Sequence, residues 1–112
     1  MKKISPESFY KSMENQEKIL LLDVRAEEKY KKFHIKGSTI ENLNIPKTTI
    51  FDLEHDSEGS INDLAKDREV IVTCTTGNSA TRCASILSQR DYKVSVLEGG
   101  ITAWKEYCKD RE

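Results

Sequence analysis

The most distinct apolar run in the chain is Val70–Cys74, five β-branched or apolar residues closed by a cysteine. It reads as a short buried strand. Five small polar residues follow, Thr75, Thr76, Gly77, Asn78 and Ser79. Ala80, Cys83, Ala84 and Leu87 then fall at i, i+3, i+4 and i+7, the apolar stripe of a helix predicted to reach about Arg90. A second run, Ile19–Val24, is interrupted only by Asp23. A continuous run implies burial on both faces, as at the centre of a parallel sheet. Leu43–Ile45 alternates and stops at Pro46, and Lys93–Leu97 places Val94 and Val96 on one face; both read as strands.

Helical signals lie between these strands. Ser5, Pro6 and Glu7 give a capping hydroxyl, a proline for the first helical position and a first-turn acid. Phe9 and Met13 give that helix an inner face. Ala26–Lys32 is charged around one aromatic, Tyr30, and predicts a short surface helix. His34–Ser38 reads as a loop turning at Gly37. Lys47–Asp67 carries the least pattern: Ile50, Phe51 and Leu53 are expected inside, Asp56–Ser60 as an exposed turn, and Ile61, Leu64 and Ala65 on a helical face. After the turn Glu98-Gly99-Gly100 comes a last helix, Ile101–Tyr107, with Trp104 inward. Strands alternating with helices predict an α/β fold with a mainly parallel sheet and right-handed crossovers. In such sheets the functional crevice opens at the carboxyl ends of the strands, which is where Cys74 ends its own.

A chain of 112 residues suits one domain, expected over residues 1–112, and buries roughly two-thirds of its unfolded surface. A net charge of −1 argues against a nucleic-acid partner, which calls for a basic face. Met1–Pro6 has no apolar run behind its positive charge, so neither a signal peptide nor a membrane span is expected. The expected compartment is the cytoplasm, whose reducing conditions keep a reactive thiol free. Cysteines at 74, 83 and 108 make no disulfide framework, and with His34 and His55 they match no zinc spacing. Neither a metal nor a cofactor is expected.

The chemistry therefore falls to Cys74. Amides of a tight loop and the helix N-terminus behind it converge on whatever stands in the bowl, and they favour the nucleophilic thiolate. Gly77 allows a positive φ or a close approach, and Thr75, Thr76 and Ser79 bring hydroxyl donors. The loop holds no lysine, arginine or histidine, so activation is expected from backbone dipoles. Cysteine-dependent phosphatases place an arginine six residues after the nucleophile to clamp phosphate; Ala80 stands there, which argues against phosphate chemistry.

Five motifs in order resemble a single-domain rhodanese, a thiol-dependent sulfurtransferase. Leu22-Asp23-Val24-Arg25 resembles the family's Asp-Val-Arg strand end. His34-Ile35-Lys36-Gly37-Ser38 is similar to its His-Ile-x-Gly-Ala turn, and Asn44-Ile45-Pro46 to its Asn-Ile-Pro. Cys74–Ser79 resembles the six-residue active loop Cys-x-x-Gly-x-[Arg or Ser], and Leu97–Gly100 with Trp104 the closing Gly-Gly…Trp signature. Phe33 stands where glycine usually precedes the histidine, Lys29 where an acid is common, Ser79 where many members carry arginine, and extra residues lie between Ser38 and Asn44.

The resemblance implies a rhodanese-like three-layer α/β/α fold around a sheet of four or five strands. It also implies a ping-pong transfer, in which Cys74 takes a sulfane sulfur from thiosulfate or a persulfide. The bowl from Thr75 to Ser79 holds the charge, and cyanide, a small thiol or a protein cysteine accepts the sulfur. The uncharged loop predicts poor affinity for the thiosulfate dianion, with a small-molecule or protein persulfide as the natural donor. Asp23 and Arg25, following a central strand, either shape the cleft or brace neighbouring loops. His34 reads as a hydrogen-bonded turn residue, Cys83 as core and Cys108 as incidental. Two alternatives are a non-catalytic interaction module on the same fold and a redox or arsenate-reducing thiol. The second needs Cys83 or Cys108 to form a disulfide with Cys74.

Overall fold

The computed structural model describes residues 2–56, 61 and 64–111. Its centre is a five-stranded sheet, with β1 (Lys2–Ile4), β2 (Ile19–Asp23), β3 (Ile40–Asn44), β4 (Glu69–Thr73) and β5 (Lys93–Leu97) in the order β1-β5-β4-β2-β3. Every pairing is parallel. The helices are α1 (Pro6–Glu14), α2 (Glu27–Lys32), α3 (Lys47–Phe51), α4 (Asn78–Ser88) and α5 (Gly100–Lys109), with a 3-10 turn at Asp52–His55 after α3.

The continuous apolar runs pack both faces of the sheet. In β2 and just beyond it, Leu20, Leu22 and Val24 enter one core with Val70 and Val72 of β4, Ile50 of α3 and Ala80, Cys83, Ala84 and Leu87 of α4. Ile19, Leu21 and Ile71 point the other way, onto Phe9 of α1 and Ile101 and Trp104 of α5. The rings of Phe9 and Trp104 meet edge to face, 5.2 Å apart, and tie those two helices together. The result is three layers, α/β/α. Leu22 is wholly buried, and its truncation to alanine would cost about 2–5 kcal/mol.

Several elements differ from expectation. The four runs read as strands are strands: Lys93–Leu97 keeps its expected bounds, while the run at Leu43–Ile45 is strand over Ile40–Asn44, the run at Ile19–Val24 ends at Asp23, and Cys74 is the first residue beyond β4. β1 is the fifth strand, an edge strand of three residues whose lysines are exposed. Lys47–His55 is helical, with Ile50 and Leu53 buried as expected. The helical face expected over Ile61, Leu64 and Ala65 is absent from its described residues: Leu64 is buried and donates its N–H to the Ile61 carbonyl, while Ala65 is exposed. Of the turn expected at Asp56–Ser60, residues 57–60 lie outside the described residues.

In register, Asp23 at the end of β2 lies beside Thr73 at the end of β4. The Val24 N–H donates to the Thr73 carbonyl at 2.9 Å. The chain leaving β2 and the chain leaving β4 therefore stay together past the sheet edge, and the space between them is the crevice at the strand ends.

Candidate active site

Cys74 leaves β4 into this crevice, and the chain then turns back toward its sulfur. Gly77 takes φ +103° and ψ −16°, a backbone that L side chains rarely adopt, and it caps α4. With that turn, the Gly77 N–H donates to Cys74 Sγ at 3.0 Å and the Ala80 N–H at 3.3 Å. Thr81 locks the turn, donating both its N–H (3.0 Å) and its hydroxyl (2.8 Å) to the Gly77 carbonyl. The first amides of a helix have no intrahelical acceptor. Those of Asn78 and Ser79, and the loop amides of Thr75 and Thr76 before them, donate to no group among the described residues. Thr75, Thr76 and Ser79 line the same cleft as the sulfur.

The outer side of the loop is pinned by α5. Ile101 donates its N–H to the Cys74 carbonyl at 2.9 Å and Thr102 donates to that of Thr75 at 3.0 Å. This close approach depends on Gly99 and Gly100, with φ of +75° and +63°.

Cys74 is 5% exposed and opens into a cleft of about 190 Å³. Thr75, Thr76 and Ser79 line it with the sulfur, opposite Val24 and Arg25. The expected loop thus divides. Gly77 holds the sulfur through its amide, whereas Asn78 lies with Gly77 and Thr76 against a neighbouring cleft beside Glu98 and Gly99. No hydroxyl of Thr75, Thr76 or Ser79 is bonded to the sulfur among the described residues. The amide of Ala80 is, although Ala80 was legible only as part of an apolar stripe.

Asp23 and Arg25 form a buried pair. Arg25 Nη2 donates to Asp23 Oδ2 at 2.7 Å, and its Nε is 3.0 Å from both carboxylate oxygens. The same Nη2 donates to the Phe33 carbonyl at 2.6 Å. Arg25 lines the cleft while Asp23 stands behind it, 1% exposed. Asn44 Nδ2 donates to the carbonyls of both residues at 3.0 Å. The cluster braces the strand end and presents a guanidinium whose charge is met by a carboxylate.

Two further cations reach the cleft, Lys29 of α2 and Lys47 of α3. Neither pairs with a carboxylate among the described residues. The positive charge missing from the loop is supplied from across the crevice. Lys29 was visible in the sequence as a cation at a position where an acid is common. Lys47 gave no signal, since only the order of the strands brings α3 to the end of β4.

The other two cysteines lie on α4 and α5. Cys83 is fully buried on the inner face of α4. Burial first, and the charge on Cys74 second, push its thiol up to about 12. Cys108 is half-buried on α5, and none of the three forms a disulfide. The His34 ring stacks on Tyr30 at 4.1 Å, with Nδ1 2.9 Å from the Tyr30 carbonyl. Among the described residues no group of three or more His, Cys, Asp or Glu side chains is placed to hold a metal, and no helix is long and apolar enough to cross a membrane.

Comparison with known proteins gives a consistent picture. A model of the rhodanese-like domain family matches residues 5–107. The chain is similar to a protein of Allochromatium vinosum named sulfurtransferase, 27% identical over 105 residues, covering 93% of this chain and 88% of that one. Among solved structures, it is similar to a rhodanese-like domain protein from Staphylococcus aureus, with TM-score 0.77 and 22% identity over 93% of this chain and 91% of that one. It is also similar to a rhodanese-related protein from Thermoplasma volcanium, with TM-score 0.72 and 25% identity over 96% and 93%.

Proposed function

The chain belongs to the rhodanese-like domain family, and on that premise we propose that it is a sulfurtransferase working through a persulfide on Cys74. The observation that carries this reading is the pair of N–H groups, from Gly77 and Ala80, aimed at Cys74 Sγ at the mouth of a small cleft. Each hydrogen bond to a charged acceptor contributes about 1.5–3 kcal/mol.

In the first half-reaction the thiolate attacks the outer sulfur of a sulfane donor. A new S–S bond forms to Cys74, and the donor's own bond to that sulfur breaks. With thiosulfate, sulfite leaves with the electron pair. The persulfide's terminal sulfur carries the negative charge. The spare amides of Thr75, Thr76 and Ser79 are the donors available to it, without reorganisation. In the second half-reaction a nucleophile takes the terminal sulfur: cyanide leaves as thiocyanate, and a small or protein thiol leaves as a persulfide. The Cys74 thiolate is regenerated. No base beside the sulfur is required, because the nucleophile enters and leaves as an anion.

Lys29 and Lys47 favour an anionic donor, either thiosulfate or a carboxylate-bearing persulfide, and a protein persulfide is the remaining class. The chemistry suits a reducing compartment such as the cytoplasm, where Cys74 stays reduced between turnovers. The test is intact mass after thiosulfate treatment. The wild-type chain gains one sulfur atom, cyanide removes it, and Cys74→Ser never acquires it. A wild-type chain that gains no sulfur from thiosulfate or from a small persulfide would overturn the sulfurtransferase reading and leave the interaction module and the redox thiol.

A further inference from the structure

A groove of about 490 Å³ runs between the end of α2 and the outer side of α5, apart from the Cys74 cleft. Its lysines, 31, 32 and 36 on one wall and 105 and 109 on the other, face no carboxylate among the lining residues. Lys31 pairs with Glu27 at 2.7 Å. Lys32, Lys36, Lys105 and Lys109 pair with no carboxylate among the described residues. On a chain of net charge −1 this is a local excess of positive charge. Within it stands Phe33, 36% exposed, the one large hydrophobic side chain exposed among the described residues. Lys105 Nζ lies 4.4 Å from the centre of its ring.

Each wall is tied by one contact to the surroundings of the Cys74 cleft. Phe33 accepts the Arg25 guanidinium that lines the cleft. The first turn of α5 donates to the Cys74 and Thr75 carbonyls. From these contacts we infer that the groove seats an acidic segment of a partner protein, one that carries an apolar side chain for Phe33. Carboxylates satisfy the lysines, and the apolar side chain covers the ring. A purely anionic ligand uses only the first feature. A segment held there brings the chain beside it to the mouth of the cleft. A 190 Å³ cleft gives a protein cysteine little to bind, so affinity for such a partner has to come from outside it.

This use of the groove rests on the sulfurtransferase reading, but binding itself is measurable without chemistry. The probe is a fluorescein-labelled peptide of alternating Glu and Leu, titrated by anisotropy at low salt against Cys74→Ala. Saturable binding is expected. It should weaken roughly tenfold or more in Lys105→Glu/Lys109→Glu and, independently, in Lys32→Glu/Lys36→Glu on the opposite wall. Each variant is checked for unchanged thermal melting, and one folded variant suffices. Phe33→Ala should weaken the Glu–Leu peptide and leave an all-Glu peptide unaffected. Equal binding by wild type and variants overturns the inference, as does an equal loss in the distant control Lys66→Glu/Lys93→Glu. Tighter binding of duplex DNA or of phosphatidylglycerol vesicles at the same lysines overturns it too, by assigning the groove to another anion. Persulfide formation by the wild type is scored separately: if it persists while the peptide fails to bind, docking alone is refuted. Peptide binding without persulfide formation refutes the chemistry alone.

Discussion

A side chain on Gly100 would collide with the carbonyl oxygen of Cys74. A Cβ built there also stands 2.7 Å from the Thr75 carbonyl oxygen, and the neighbouring atoms are backbone that cannot rotate away. The α5 N-terminus is therefore seated directly on the Cys74 loop, and only glycine permits the contact. Gly100→Ala is expected to cost on the order of 3 kcal/mol and to abolish persulfide formation by lifting the loop. Denaturant unfolding and intact mass check the two effects. Wild-type stability in this variant would contradict the packing.

Gly77→Ala separates strain from space. A Cβ at Gly77 meets nothing closer than 3.5 Å, but its φ of +103° costs an L residue about 1–2 kcal/mol. The turn is expected to relax and withdraw the amide from Sγ. Loss of one such donor lowers the rate by about 10²-fold. The check is kcat for sulfur transfer beside the melting temperature, with the rate falling far more than stability.

Lys29→Glu and Lys47→Glu each place a negative charge in the cleft. With an anionic donor, kcat/KM is expected to fall roughly tenfold in each, and the deficit to shrink as salt is added. The charge-neutral Lys→Gln changes should lie between. Steady-state rates with thiosulfate at two ionic strengths decide this. Unchanged rates would remove both lysines from donor recognition.

Asp23→Asn leaves the Arg25 guanidinium, its side chain 9% exposed, without its counter-charge. Removing one partner of a buried pair costs about 3–5 kcal/mol. The fold is expected to survive with a lower unfolding midpoint and Asp23→Asn/Arg25→Met to recover part of the loss. A midpoint equal to wild type would show that the pair carries no net stability.

Cys83 makes alkaline stability depend on one thiol. The unfolded chain ionises it at its ordinary value of 9.0, whereas the fold keeps the proton up to about 12. Between these values the native state binds more protons than the unfolded one, so stability falls as pH rises through the window. Cys83→Ala is expected to flatten that decline, read from urea midpoints measured at intervals above pH 9. Parallel curves for wild type and variant would contradict it. The same protonated, buried thiol is poorly suited to resolve a disulfide, so Cys83→Ala should also leave turnover intact.

The sequence made the interior legible and the periphery much less so. Ile19–Val24 and Val70–Cys74 announce a buried parallel sheet because burial on both faces removes every polar residue but Asp23 and Thr73. Lys2–Ile4 carries no such mark: it is an edge strand with exposed lysines, defined only by its pairing with Ser95–Leu97. Ile61 and Leu64 have helical spacing, yet Leu64 is buried with no helix assigned at either residue. In the site, Cys74 and Gly77 were legible because the chemistry and the backbone each demand a residue type. An amide such as that of Ala80 has no residue signature, and Lys47 needs the strand order before it has a neighbour.

That strand order also bears on how the molecule is made. β1 pairs with β5, so the strand at residues 2–4 cannot join the sheet until residues 93–97 have been made. The glycine pair that seats α5 on the Cys74 loop follows even that partner strand in the chain. Contacts this distant along the chain favour slow folding. Until α5 docks, the Cys74 loop lacks the two backbone hydrogen bonds from Ile101 and Thr102 that pin it, so the cradle is completed among the late steps of assembly.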